Sequence, residues 1–166
     1  DFLESVLDLG SHPLCDDLVP IGRPEICNEY PIKISFCRNC NTAHQEFQVE
    51  KNLLFPKTYH YRARFTADVL DGMSEFVLAC ESQLGSLENK KVLDIGCNDG
   101  SLLGFFKAKG ATTIGLEPTN AIEDASDEHY LYNEFFDKTS AEKILQDHGS
   151  PDIISFTNVF AHIEDL

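Results

Sequence analysis

The sequence predicts an α/β protein, a parallel, doubly wound sheet preceded by a small irregular module, and three observations predict it. From residue 88 onward short apolar runs alternate with amphipathic stretches, the rhythm of strands joined by crossover helices. Before residue 57 the chain is turn-rich, holds most of the prolines and offers only brief β-like pieces such as "YPIKISFC". Between them, residues 64–86 carry Phe65, Val69, Leu70, Met73, Phe76, Val77 and Leu84 at spacings of three and four, which predicts an amphipathic linker helix. The expected organisation is a module over 1–58, an aromatic segment and linker helix over 59–87, and the first part of a sheet domain over 88–166.

Each element of the second half has its own signal. "KVLDIG" reads as a buried strand and "DGSLLGFFKAKG" as a helix ending at Gly110. "TTIGLEP" is a second strand stopped by Pro118, and "TNAIEDASD" a short helical crossover. "HYLYNEFF" is the third strand, "SAEKILQDHG" a helix closing on Gly149, and "DIISFTNVF" the fourth strand. Left as the last strand of a sheet, that apolar run would be an aggregation-prone edge. The expectation is that the rest of the same protein after Leu166, or a partner, covers it.

Thirteen basic against 28 acidic residues give a formal charge of −15, which repels a phosphate backbone and argues against nucleic acid as a partner. One segment departs from this balance: "KTYHYRARF" gathers Lys57, His60, Arg62 and Arg64 among aromatics, either a solvated loop or a place for a small anion. No stretch approaches the roughly 20 apolar residues of a membrane span, and "DFLESVLDLG" has neither the basic nor the apolar region of a signal peptide. No membrane partner and a cytoplasmic location are expected.

The site signal is the turn after the first strand. Gly96 and Gly100 stand four apart with Asp94 just before them, where a strand ends and a helix begins; in such sheets ligands bind at that end. The spacing is not GxGxxG, which disfavours a dinucleotide. Glu117, 21 residues after Gly96 at the end of the second strand, is placed to accept bonds from ribose hydroxyls.

With "VLDIGCNDGSLL", "GLEPTN", Phe135–Phe136 and "NVFAHIEDL" in view, the chain resembles the Rossmann-like class I methyltransferases that use S-adenosylmethionine. Within them it is similar to the C-methyltransferases of nucleotide-diphosphate-linked deoxy-keto-sugars. "VLDLGSHPLCDDL" and "YPIKISFCRNC" resemble that family's N-terminal zinc-binding module, and "LFPKTYHYRARFT" its aromatic segment. The resemblance implies that Asp94, Gly96, Asn98 and Gly100 surround the methionine part of the cofactor and that Glu117 holds its ribose. It implies Phe136 and Asp137 near the adenine and Asn158 toward the sulfonium. "DKTS" is equally a helix cap, so Asp137 has two readings. The implied sheet has about seven strands, of which this chain would supply the first four, and the family's principal acid-base residues lie further along.

Removing a proton beside a ketone calls for a base of near-neutral pKa and a partner for the enolate oxygen. His162 just past the fourth strand, and Tyr59 and Tyr61 on the aromatic segment, are the candidates here, each set against a surface or packing role. An O- or N-methyltransferase, or a non-catalytic domain that only binds the cofactor, are the alternatives.

The six cysteines lie in a chain with helical periodicity and no secretory signal, so thiols or metal ligands are expected rather than a disulfide framework. Cys37 and Cys40 form a CxxC, which fills two corners of a zinc tetrahedron. A redox CxxC would want a βαβ context that is missing here. The resembling family places a second pair shortly before "VLDLG", just upstream of Asp1. The preferred expectation is that this pair lies outside the sequence and the structural zinc site is incomplete; the other is that Cys15 and Cys27 replace it. Cys80 is expected in the core and Cys97 to pack behind the turn.

Overall fold

The computed structural model describes residues 2–15, 18–23 and 27–163, and the chain divides into two compact units, Asp1–Pro56 and Lys57–Leu166. In the first unit β1 (Leu3–Pro13), β2 (Glu29–Cys37) and β3 (Thr42–Gln45) form an antiparallel sheet in the order β1-β2-β3, followed by one turn of helix, α1 (Lys51–Leu54). This is more regular than the turn-rich sequence suggests. β1 absorbs its turn-forming residues in register shifts between Ser5 and Leu7 and between Asp8 and Ser11. Gly10 lies in the second of these with φ 77°, a left-handed conformation that glycine adopts without a Cβ penalty, and its N–H is held by Asp8 Oδ1 at 2.9 Å.

In the second unit the amphipathic stretch forms α2 (Ala67–Leu84). β4 (Lys91–Ile95), α3 (Ser101–Ala108), β5 (Thr112–Leu116), β6 (Tyr130–Tyr132), α4 (Lys138–His148) and β7 (Ile153–Ser155) follow. The four strands are all parallel, in the order β6-β5-β4-β7. Alternation along the strands sorts the core into two layers. Val92 packs with Val77, Leu87, Leu102, Phe106 and Ala111 against α2 and α3, while Leu93, Ile95, Ile114 and Leu116 pack with Ile144 of α4. Cys80 borders the first layer, and Cys97 is 3% exposed behind the turn, packed so closely on Gly115 that a Cβ there would lie 2.7 Å from its sulfur.

Three elements differ from the sequence reading. The strand expected over "HYLYNEFF" is only Tyr130–Tyr132, because Asn133 leaves the ladder and donates through Nδ2 to the carbonyls of Glu117 and Thr119 at 2.8 and 3.0 Å. The strand expected over "DIISFTNVF" ends at Ser155; Asn158 follows in a turn with φ 57° and Phe160–His162 form a 3-10 turn. The crossover "TNAIEDASD" is a 3-10 turn at Asn120–Asp124, started by Thr119, whose hydroxyl accepts from Ala121 N.

The chain runs outward through β4, β5 and β6, then returns past β4 to lay down β7. That reversal sets the switch point of the sheet beyond the carboxyl ends of β4 and β7, the place where ligands bind in doubly wound sheets.

Candidate functional site

The switch point is lined by residues that the strand ends deliver. Asp94 of β4 faces Ser155 of β7 in register; it is 3% exposed, and the Ser155 hydroxyl donates to its Oδ1 at 2.6 Å. Burial pushes the Asp94 carboxyl up to about 7, opposed by the Ser155 bond and reinforced by the Glu117 charge. Gly96 turns the chain at φ 73°, and a Cβ there would collide with Val159 Cγ2. Gly100 starts α3 and lies against Ala125.

Glu117, 6% exposed beyond the end of β5, is the second fixed carboxylate. Its Oε1 accepts from Thr119 N at 3.0 Å and Thr119 Oγ1 at 2.7 Å, and its Oε2 accepts from Asn98 N at 3.1 Å. A carboxylate offers about four acceptor positions, so about one remains, on Oε2. The residues therefore suit a group that brings one further hydroxyl donor.

The aromatic segment is bound to this turn. Arg62 donates from Nε to Asp124 at 2.5 Å and through one terminal nitrogen to the carbonyls of Tyr59 and Tyr61 at 2.6 and 2.9 Å. The Arg64 side chain pairs with Asp99 at 3.3 Å and Asp124 at 3.1 Å, and the Arg64 N–H donates to Asp99 Oδ2 at 2.9 Å. Both guanidinium groups are thus engaged by carboxylates of the same unit, so neither arginine is left unpaired to receive a small anion. Asp99, with a fully buried side chain, also accepts from Ser101 N and Oγ at the start of α3.

The other candidates lie around this centre. The Tyr59 and Tyr61 rings meet edge-on at 6.5 Å, with Tyr61 exposed. Phe136 packs edge-on against Phe156 at 5.9 Å, and Phe156 against Phe160 at 5.5 Å. Asp137 caps α4: its Oδ1 accepts from Ser140 N at 2.9 Å while the Ser140 hydroxyl accepts from Asp137 N. Asn158 and His162 are exposed beyond β7, in the turns that replace the end of the expected strand.

In the first unit Cys37, Cys40 and His44 bring their donor atoms within 4.8 Å of one another. The cysteine pair is legible in the sequence as a CxxC, whereas His44 belongs to no motif that the sequence displays. β2 ends at Cys37, Asn41 turns the chain at φ 55°, and β3 returns. Cross-strand register pairs Cys37 with Thr42 and Ser35 with His44, so the two-residue period puts His44 on the face of Cys37. Cys40 Sγ lies 3.8 Å from His44 Nε2, near the edge of about 3.6 Å that tetrahedral zinc sets between a sulfur and a nitrogen ligand. Hydrogen bonding from Thr42, then from His44 and Cys37, draws the Cys40 thiol down to about 6, toward the thiolate that binds metal. Soft donors at this separation fit zinc, and the cluster includes neither Cys15 nor Cys27.

A parallel sheet with this reversal, a glycine turn after its first strand and a buried glutamate after its second define a Rossmann-like cofactor domain of the class I methyltransferase kind. The chain belongs to the family described as "Methyltransferase domain", whose model matches residues 60–166; that family implies S-adenosylmethionine as cofactor. Residues 1–55 match a second family, described as "Putative zinc binding domain". Among curated proteins the chain is similar to the C-methyltransferase NovU of Streptomyces niveus, 25% identical over 170 residues, covering 100% of this chain and 40% of that protein. It is also similar to the ubiquinone biosynthesis O-methyltransferases of Acinetobacter baylyi, 27% identical over 51% of this chain and 38% of that protein, and of Escherichia coli, 31% over 49% and 35%. The chain thus spans two fifths or less of the length of these relatives. Among the described residues no helix is long and apolar enough to cross a membrane.

Proposed function

We propose that this chain carries the methyl-donor site of an S-adenosylmethionine-dependent C-methyltransferase whose acceptor is a nucleotide-diphosphate-linked deoxy-keto-sugar. The observation that carries the reading is the likeness to a C-methyltransferase along the whole chain, through both units in order. The likeness to O-methyltransferases covers about half of it, which makes oxygen methylation the second reading.

S-adenosylmethionine, when bound, supplies an electrophilic methyl group on a sulfonium. Glu117 Oε2 accepts a ribose hydroxyl, Asp94, Gly96, Asn98 and Gly100 border the methionine part, Phe136 and Asp137 the adenine side, and Asn158 the sulfonium end. On the acceptor, a carbon beside a ketone must lose its proton to become nucleophilic. His162 is assigned as a base for that proton, and the hydroxyls of Tyr59 and Tyr61 as partners of the sugar oxygens. In the first unit Cys37, Cys40 and His44 hold a structural zinc ion, and its need for free thiols suits the cytoplasm.

Titration with S-adenosylmethionine tests the donor site: Glu117→Gln removes a charged acceptor worth about 1.5–3 kcal/mol, so affinity falls ~10–100-fold. Equal affinity in both proteins would sink the assignment of Glu117. Incubation with S-adenosylmethionine and a nucleotide-diphosphate keto-sugar, with the product read by NMR, tests the acceptor; a methyl group found on oxygen selects the second reading.

A further inference from the structure

Asn98 touches both sides of the site. Its Nδ2 donates to Tyr61 O at 3.1 Å and its Oδ1 accepts from Ala63 N at 3.0 Å, so the side-chain amide clasps the backbone of the aromatic segment as a neighbouring strand would. Its own N–H donates to Glu117 Oε2 at 3.1 Å, the oxygen that keeps an acceptor position.

We propose that Asn98 is a positioning residue that couples the two ligand sites: a hydroxyl arriving at Glu117 Oε2 shares that oxygen with the Asn98 N–H, and the amide relays the adjustment to Tyr61 and Ala63. The acceptor-side tyrosines are then set in place by occupancy of the donor site. This rests on the reading of Glu117 as the ribose partner. The side-chain amide, already engaged at both ends, acts on the segment rather than on the donor. Arg62–Asp124 and Arg64–Asp99 hold the flanks, so loss of the clasp leaves the segment attached.

The backbone offers a clean variant. Asn98 sits at φ 52°, which glycine adopts at no cost, so Asn98→Gly deletes the clasp and keeps the turn. Asn98→Asp is the second variant; it tolerates the same conformation and keeps an acceptor for Ala63 N but loses the donor to Tyr61 O. Hydrogen exchange over residues 59–65 is followed with and without S-adenosylhomocysteine, whose affinity is measured in parallel. In the wild-type chain the ligand slows exchange of this segment at least ~5-fold. In Asn98→Gly, titrated to saturation, it leaves the segment unchanged while exchange in the rest of the second unit stays as in the wild type, a loss that neither weaker affinity nor general destabilisation produces. Asn98→Asp shows the same loss of response.

A retained response in either variant overturns the inference. So does abolished ligand binding in both variants, which would make the Asn98 side chain a direct ligand of the donor rather than a clasp on the segment. Absence of binding to the wild-type chain overturns the S-adenosylmethionine reading itself and the coupling with it.

Discussion

At the scale of single residues, Asp94 carries the most chemistry in the least space. Its carboxyl is ordinarily half-ionised near 3.8, but burial between β4 and β7 raises it to about 7. Between those pH values the folded chain keeps a proton that the unfolded chain has released, so folded-state stability falls as pH rises through that window. The difference amounts to up to about 4 kcal/mol, since each unit is worth about 1.4 kcal/mol. Asp94→Asn fixes the neutral form, and urea denaturation from pH 5 to pH 8 reads the result: the wild type loses stability relative to the variant as pH rises. Parallel pH profiles would show that Asp94 is ionised throughout. The positions of Asp94, Gly96 and Glu117 are legible in the sequence because an apolar run ends beside each. Ser155 and Thr119, which hold the two carboxylates, are not. Ser155 becomes a neighbour of Asp94 only when the chain reverses and β7 pairs with β4.

At the scale of elements, legibility follows how local the cause is. α2, β4 and β5 follow from periodicity within their own residues, and the sequence predicts them closely. β6 and β7 stop early for reasons a period cannot carry, a side-chain amide at Asn133 and a turn at Asn158. β1 is hidden by its Asp, Gly and Pro, which read as a loop until bulges accommodate them. The knuckle between β2 and β3 belongs to the same group. CxxC is visible as a motif, whereas His44, four residues beyond Cys40, becomes a donor only through the hairpin register. Its spacing on a short alternating stretch was the available signal. His44→Ala is therefore expected to weaken zinc binding at least ~10-fold, measured by competition with a chromophoric chelator. It also alters the visible spectrum of the cobalt-loaded protein, since an imidazole leaves the coordination shell. An unchanged cobalt spectrum would remove His44 from the ligand set.

At the scale of the molecule, the two units stand on different physical supports. The second buries Leu87, Leu103, Phe106 and Ile114 completely and has a layered core on both faces of its sheet. The first has every residue of β1 exposed, and in its sheet only Ser35 of β2 is buried. Units of this size gain only a small surplus of stability from apolar contacts and commonly add a metal or another staple. Zinc bound by Cys37, Cys40 and His44 would supply that folding free energy directly, because the donors converge only in the folded hairpin. Asp94 and Glu117, proposed for the donor site, lie in the other unit and draw on its core. Chelation of the zinc-loaded protein is therefore expected to speed hydrogen exchange across 29–45 while leaving S-adenosylhomocysteine affinity within about 2-fold, as for sites that share no partners. Exchange over 29–45 that ignores the chelator would mean that the hairpin stands without metal. A fall in ligand affinity of about 10-fold or more would show that the metal stabilises the donor site as well, with a coupling of about 1.4 kcal/mol or more between the two.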